Sequence, residues 1–388
     1  MINPAFHTSE VQNWLKENLQ SDPRQLAFKG SPFSDVSTQE LLNQLQLRQN
    51  IRSKLPTWYD TDGIIYPTKV NIEQTSSEVT SAYKASLVQG EKLIDITGGF
   101  GVDAYHFAKR VKNVIHVERN TELQQIAAKN FEILQVGNIQ SFNEDGVEFI
   151  ENYSEEVDVI FADPSRRDGS NARVILLHDM QPDLLKIQDM LLEKAHTVML
   201  KLAPMLDIQY ITERLKNIFQ IHIVAVQNEV KEILVLQKRF YAGSPKIILA
   251  NLQSEWENIH IQPIFGIEHP IAEPKKYLYL PGNALMKILR ITDMHAIWGL
   301  HALHRDTSIF TSDALIEHFP GEVFSNIREI NLKKGNFRGT SWRIIHRNFP
   351  VKIPEIKRKF GLKDDGTQAL IFTQTQSGSH IWEADKIK

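Results

Sequence analysis

The stretch Leu93-Ile94-Asp95-Ile96-Thr97-Gly98-Gly99-Phe100-Gly101-Val102-Asp103 decides how this chain is read. An apolar strand carrying Asp95 runs straight into a glycine-rich turn, and a helical pattern follows. Glycines at Gly98, Gly99 and Gly101 let backbone approach a ligand closely. The helix N-terminus behind them offers amide donors that have no partner within the helix. In an open α/β sheet this is where a nucleotide-like cofactor sits.

Working outward, strand and helix patterns alternate from Lys92. Strands are expected at Leu93–Thr97, Val114–Val117, Ile139–Phe142, Val157–Ala162, Val198–Leu202, Ile221–Val226 and Ile233–Gln237. Helical segments fill the first five gaps, which implies parallel strands covered on both faces. Only Gln227 to Glu232 separates the last two strands. A parallel crossover needs about a dozen residues, so this pair must be an antiparallel hairpin. The expected fold class is α/β, a Rossmann-like seven-stranded sheet of five parallel strands and a terminal antiparallel hairpin. An N-terminal helical region precedes it and small α+β modules follow it.

Residues 1–70 read as helical, with Leu41, Leu42, Leu45 and Ile51 at helical spacing and Ser37–Glu40 at capping-box spacing. Asp60 to Pro67 interrupts the pattern, and a second helix is expected from about Thr75 to Val88, with Thr75 and Glu78 at the same capping spacing. After Arg239 the alternation stops. Tyr241 to Pro245 reads as a linker, and Lys246–Leu252 and His260–Ile264 as strands of a small unit. Asn283 is expected to cap a helix running to Ile291. The last block reads as strand Trp342–His346, helix Ile353–Phe360, and strands Ala369–Thr373 and His380–Glu383.

The 388 residues suggest two or three domains, and an apolar fraction of 42% is enough for real cores. A net charge of −3 implies no polyanion partner for the chain as a whole. The chain has no cysteine, which removes disulfides, thiolate zinc sites and a thiol nucleophile. No signal peptide, membrane span or metal site is expected, and the cytoplasm is the expected compartment.

The glycine turn alone admits two cofactors. Gly99-Phe100-Gly101-Val102-Asp103-Ala104 fits the dinucleotide pattern, with Glu118 placed for a ribose diol. Further features favour S-adenosylmethionine. A carboxylate at Asp95 suits the ammonium of a methionine moiety and would face a pyrophosphate unfavourably. Asp145-Gly146 follows the third strand, where a carboxylate can accept from an adenine amine. Asp163-Pro164-Ser165-Arg166 ends the fourth strand, where a substrate sits. A terminal hairpin is foreign to ordinary dinucleotide folds. Together these features resemble the class I S-adenosylmethionine-dependent methyltransferases over about residues 71–239. That resemblance implies cofactor binding by Asp95, Thr97, Gly98, Gly99, Phe100, Gly101, Glu118 and Asp145. Plainer roles stand beside these: Asp95 bonding amides of its own turn, Glu118 as a helix-start carboxylate, and Asp145 as a turn residue.

The outer parts of the chain carry Tyr277-Leu278-Tyr279 to Lys287, Thr311-Ser312-Asp313, Phe319-Pro320-Gly321, Arg347-Asn348-Phe349-Pro350 and Leu362-Lys363-Asp364. These resemble a bacterial methyltransferase family with a small ferredoxin-like unit and a THUMP-like C-terminal domain. The organisation then expected is an N-terminal helical region (1–70), a methyltransferase domain (71–239), a ferredoxin-like α+β unit (240–275) and a THUMP-like substrate-recruiting domain (276–388). THUMP domains bind RNA, so the resemblance implies an RNA substrate, rRNA or tRNA. Local charge agrees. Between Gly321 and Lys363 stand eleven Lys or Arg against three Glu. Phe337, Trp342 and Phe349 are interleaved with them, as suits phosphate contacts plus base stacking. The RNA-binding candidates are Arg338, Arg343, Arg347, Lys357, Arg358 and Lys359. The rival readings are a methyltransferase for a protein or small molecule, and a non-catalytic RNA-binding protein that keeps the cofactor fold.

Without cysteine, methylation of a pyrimidine carbon through a cysteine adduct is disfavoured, and direct methyl transfer is expected. Ser165 and Arg166 stand where amine methyltransferases often carry a second proline and an aromatic ring, so Arg166 is read as stacking on a base or holding a phosphate. Lys84, Asp163, Lys201 and Glu232 occupy places comparable to the Lys-Asp-Lys-Glu set of ribose 2′-hydroxyl methyltransferases. The catalytic candidates are therefore Asp163, Pro164, Ser165, Arg166, Lys201, Lys84 and Glu232. His295, His301 and His304 are spaced six and three apart, which does not place all three on one helical face for a metal.

Overall fold

A computed structural model describes residues 3–166, 176–254, 258–262, 269–331, 337–364 and 366–388, with the side chain of Arg166 outside the description. By compactness the chain forms two units, 1–206 with 210–219 and 234–244, and 207–209 with 220–233 and 245–388.

The first sheet grows from the quoted stretch. Its first strands are β1 (Lys92–Asp95), β2 (Asn113–Val117), β3 (Ile139–Phe142) and β4 (Val157–Ala162). Two-residue strands β5 (Ser165–Arg166) and β6 (Met180–Gln181) pair with each other. Then come β7 (Ala195–Leu202), β8 (Ile218–Val226), β9 (Glu229–Lys238), β10 (Lys246–Leu252) and β11 (Ile259–Ile261). The order is β11-β10-β8-β9-β7-β4-β1-β2-β3. β1 pairs in parallel with β2 and β4, with Leu93 opposite Val114 and Val159. β3 extends this side beyond β2, and β7 extends the other beyond β4, both parallel. Leu93, Ile94, Ile160, Phe161, Val198 and Met199 are fully buried, as expected of parallel strands covered on both faces.

The hairpin is tighter than the spacing suggested. Gln227 and Asn228 alone connect β8 to β9, both with positive φ (49° and 65°), as two-residue hairpin turns require. The sheet also has two strands more than the seven expected. β10 lies parallel to β8 from Gln220 to Val226, and β11 pairs antiparallel with β10. Residues 246–261 therefore pair with β8 in this sheet and not only with each other, and by compactness they fall in the second unit. An apolar run such as Ile247 to Ala250 reads the same in its own small sheet or on a larger one. Residues 263 and 264 of the expected second strand lie outside the described residues.

In the N-terminal region Ser37 and Glu40 form the expected capping box on helix Thr38–Asn50. Thr75 instead closes helix Lys69–Gln74, and Ser77 caps helix Glu78–Ser86. The Glu78 carboxylate is occupied elsewhere, accepting from the amide and hydroxyl of Thr57 at 2.6 and 2.7 Å. Asn130, on helix Thr121–Ile133, is buried, and its amide both accepts from Ile65 N (3.0 Å) and donates to Ile65 O (2.8 Å).

The second sheet uses β12 (Tyr277–Pro281), β13 (His301–Ala302), β14 (Phe310–Ser312), β15 (Gly321–Glu329), β16 (Arg343–His346), β17 (Ala369–Thr375) and β18 (Gly378–Lys386). Their order is β13-β14-β12-β15-β18-β17-β16. Leu278, Phe324, Ile371 and Trp382 belong to one core cluster. Ile344, Ile356, Leu370 and Phe372 belong to another, which holds helix Ile353–Phe360 through Ile356. The helix expected from Asn283 to Ile291 breaks into Asn283–Met286 and a 3₁₀ turn at Leu289–Ile291. Its N-cap is Gly282, and the Asn283 side chain donates to Asn228 O at 2.7 Å. Among the described residues, no helix is long and apolar enough to cross a membrane.

Candidate active site

The site is built at the C-terminal ends of adjacent parallel strands of the first unit. At the exit of β1, Asp95 is 1% exposed. Its Oδ1 accepts from Thr97 N (3.0 Å) and Thr97 Oγ1 (3.3 Å), so the plainer role foreseen for it is one it performs. Burial pushes its carboxyl well above the usual carboxylate range. The Thr97 amide opposes this, and the charges of Asp103 and Asp163 add to it. Thr97 Oγ1 also accepts from the Asp163 amide at 2.7 Å, joining the ends of β1 and β4.

The turn is shaped by what lies beneath it. A Cβ on Gly98 would stand 2.3 Å from Nε2 of the fully buried His116. Gly101 has φ +84°, and a Cβ there would meet the Phe131 ring at 2.4 Å. On Gly99 a Cβ would meet nothing nearer than Thr97 O at 3.7 Å, so that side of the turn is open. Burial pushes the His116 imidazole down to about 4, leaving it neutral at physiological pH. Phe100 is buried, with its ring 6.4 Å from that of Trp58, which also meets Tyr105 edge-on at 4.8 Å.

At the end of β2, Glu118 faces the turn. Its Oε2 accepts from Gly99 N at 2.9 Å and its Oε1 from Asn120 N at 2.7 Å. Asp145 caps helix Gly146–Asn152, its Oδ1 accepting from Val147 N and Glu148 N, which is the turn role. Gly146 leaves no room for a side chain, since a Cβ would lie 1.9 Å from Ile96 O.

At the exit of β4, Asp163 is half-buried and Pro164 is buried beside it, while Ser165 is exposed and starts β5. The Asp163 carboxylate pairs with the Lys201 ammonium of β7, with side chains 30% and 15% exposed respectively. The Arg166 side chain lies outside the described residues. Lys84, fully buried on helix Glu78–Ser86, forms its ion pair with Asp103 at 3.1 Å. Glu232 is buried in β9, in the part of that strand that belongs to the second unit. The structure thus joins Asp163 to Lys201 and gives Lys84 a partner, Asp103, that the sequence reading passed over. Ser76, His116 and Trp58 were also passed over. A carboxylate in the first turn of a glycine-preceded helix was the available signal for Asp103.

The basic C-terminal residues separate by partner. Arg343 pairs with Glu322 at 2.5 Å and Lys357 with Asp364 at 2.8 Å. Arg347 is half-buried and donates to His346 O. Arg338, Arg358 and Lys359 are exposed and make no ion pair among the described residues. Lys333 and Lys334 lie outside them. The interleaved aromatics are not free platforms, because Phe337, Trp342 and Phe349 pack against the cluster of Ile344, Ile356 and Phe372. No group of three or more His, Asp or Glu is placed to hold a metal among the described residues.

Comparison with known proteins agrees with this architecture. Residues 277–320 match a ferredoxin-like domain family, and residues 328–384 a THUMP domain-like family. The ferredoxin-like module thus falls after the 240–275 expected for it, in keeping with the place of β10 in the first sheet. A solved structure from Porphyromonas gingivalis W83, described as an inferred methyltransferase, matches at TM-score 0.84 and 25% identity, covering 100% of both chains. Two further matches are partial. An inferred methyltransferase from Streptococcus mutans in complex with SAH matches at 13% identity and TM-score 0.31, over 42% of this chain and 96% of that one. An rRNA methylase from Streptococcus thermophilus matches at 14% and 0.31, over 41% and 93%. Among curated proteins there is no match. The chain has a methyltransferase-type α/β fold followed by ferredoxin-like and THUMP-like modules.

Proposed function

We propose that this protein is an S-adenosylmethionine-dependent methyltransferase acting on RNA, either rRNA or tRNA, by direct methyl transfer. The observation that carries the reading is that the glycine turn and the Asp163–Lys201 pair lie together at one end of the sheet, an arrangement that suits a methyl donor beside its acceptor. The glycine turn with Asp95 and Glu118 stands beside the Asp163–Lys201 pair, and Thr97 Oγ1 links the two.

The residues present fit the cofactor. The turn is open at Gly99, Asp95 is a buried carboxyl suited to an ammonium, and Glu118 at the end of β2 suits a ribose diol. Asp95, Thr97, the turn from Gly98 to Gly101 and Glu118 would hold it, with Asp145 bordering the adenine side through its capped turn. Bound there, S-adenosylmethionine supplies an electrophilic methyl group. This chain's part is alignment, because direct transfer needs an acceptor lone pair held in line. Asp163 offers a carboxylate, fixed by Lys201, that accepts a hydrogen bond from the acceptor group. Pro164 and Ser165 line the approach, and Arg166 belongs to the same edge. Lys84 supports the site from behind through Asp103. Arg338, Arg358 and Lys359 are the cations available to RNA phosphates, and Arg343, Arg347 and Lys357 contribute less because their charges are already engaged.

The test supplies purified protein with methyl-labelled S-adenosylmethionine and RNA from cells lacking the protein, then identifies the modified nucleoside. Label in RNA, with binding that weakens as salt rises, is the expected result. Label that passes only to protein or small molecules supports the rival enzyme. Cofactor and RNA binding without transfer supports the non-catalytic reading.

A further inference from the structure

We infer that a cavity of the first unit, between helix Thr38–Asn50 and the start of helix Thr121–Ile133, takes a nucleobase of the RNA other than the nucleotide that is methylated. The inference rests on the RNA reading given above.

The cavity has a volume of about 500 Å³, within the roughly 300–1,000 Å³ usual for small-ligand sites. Its walls are distant in sequence and brought together by folding. Gln44, on the first helix, donates to Tyr66 O at 2.8 Å and accepts from Tyr66 N at 2.9 Å, which fixes residues 65–68 against that helix. Asn120 caps the second helix by accepting from Leu123 N at 3.0 Å, and its own amide donates to Glu118 Oε1 at 2.7 Å. The cavity therefore begins two residues beyond Glu118. None of Asp95, Gly98, Gly99, Gly101, Glu118, Asp163 or Lys201 lines it, so it is separate from the places given to the methyl donor and the acceptor.

The lining says what the cavity can hold. Phe6, Ile65, Tyr66 and Ile126 are buried and supply apolar surface, which suits the face of a flat ring. Lys69 is the single cation among the lining residues, and it stands 3.7 Å from Glu73. Glu40 and Glu122 line the cavity as well, so a phosphate would meet more negative charge than positive. The remaining polar groups are mostly amides. Gln46, Asn50 and Asn71 line the cavity with side chains that make no hydrogen bond among the described residues, and Asn71 is half-buried. An amide carries donors and an acceptor side by side, the pattern that a base edge also presents. A base splayed from single-stranded RNA is read in this way, with its face on an apolar surface and its edge on polar groups.

The experiment compares the full-length wild type with the double variant Gln46→Ala and Asn71→Ala, both saturated with S-adenosylhomocysteine so that the donor place is filled. Neither residue is buried, so the variant keeps its core. RNA from cells lacking the protein is titrated by filter binding over a salt series. The variant is expected to bind about tenfold more weakly, with the wild-type slope of log affinity against log salt, because no cation has been removed. The four free nucleosides are then titrated by saturation-transfer NMR. At least one is expected to bind the wild type and to bind the variant about threefold more weakly or worse. RNA affinity unchanged in the variant overturns the proposal, and if a nucleoside still separates the two proteins the occupant is a free nucleoside instead. Weaker affinity with a shallower salt slope also overturns it, since the loss would then lie in phosphate contacts. Nucleoside signals equal in both proteins overturn it as well. RNA that binds as expected but is never methylated counts against the proposed function and leaves the cavity assignment standing.

Discussion

The glycine-turn site and the basic C-terminal module differ in how their charges are used. Around the turn, ionisable side chains are buried or half-buried and each has a fixed partner: Asp103 has Lys84, Asp163 has Lys201, and Asp95 has the amide and hydroxyl of Thr97. In the C-terminal module the excess of Lys and Arg is partly taken up by acids on other strands of the same sheet and in the loop after the last helix. Glu322 takes both Arg343 and Lys386, Glu383 takes Arg328, and Asp364 takes Lys357. A motif that requires particular residue types at fixed spacing survives folding as a site. A count of charges is reduced by whichever partners folding brings near.

This contrast can be broken in four ways, taken from the largest expected effect to the smallest. Gly146→Ala drives a Cβ into the Ile96 carbonyl at 1.9 Å, a backbone atom that cannot swing aside. We expect a loss of roughly 3 kcal/mol or more in unfolding free energy, read by denaturant titration, together with loss of cofactor binding. Stability equal to wild type would show that the turn is looser than described.

The second prediction concerns pH. His116 is a base whose folded pKa, about 4, lies below its unfolded value near 6.5. The unfolded chain therefore takes up the proton first, and stability falls as pH drops through the window between these values. The loss attributable to His116 is about 2 kcal/mol between pH 7 and pH 5. His116→Gln should flatten the stability profile in that window, and an equally steep profile in the variant would remove the histidine from the account.

The third and fourth predictions address the module. Arg358→Ala with Lys359→Ala removes two exposed cations free of ion pairs among the described residues. We expect RNA affinity about tenfold lower, and a slope of log affinity against log salt smaller in magnitude by about two. Arg343→Ala with Lys357→Ala removes two cations already paired, so a change of about threefold or less is expected from the same filter-binding titration. Equal effects from the two pairs would mean that the acids do not withhold those charges from RNA.

How much was legible follows the same division. The turn, the strand alternation and the Ser37–Glu40 box depend on neighbours within a few residues, so the sequence carried them. Thr75 was read as a helix start because it, like Ser77, precedes Glu78 with a hydroxyl; the Thr57 backbone, far away in sequence, claims Glu78 and leaves the cap to Ser77. β10 was assigned to a separate unit because an apolar run does not say which sheet it joins. Phe337, Trp342 and Phe349 were read as stacking platforms because interleaving with cations looks the same whether the rings face RNA or a small core. Asp103 lay inside the very stretch that fixed the fold, yet its partners are Ser76 and Lys84, residues on the far side of β1.

The bonds between Asn130 and Ile65 bear on how the chain can be divided. One side-chain amide completes both the N–H and the C=O of Ile65, as a neighbouring strand would. A shortened protein beginning at residue 71 would lack Ile65 and take both partners from that amide, and it would also strip Trp58 from Phe100. The first seventy residues are thus not a removable prefix. Cutting there strips contacts from the unit that carries the glycine turn, and a functional truncation has to begin upstream of Trp58, in helix Pro56–Asp60, and of Ile65 in the segment that follows it.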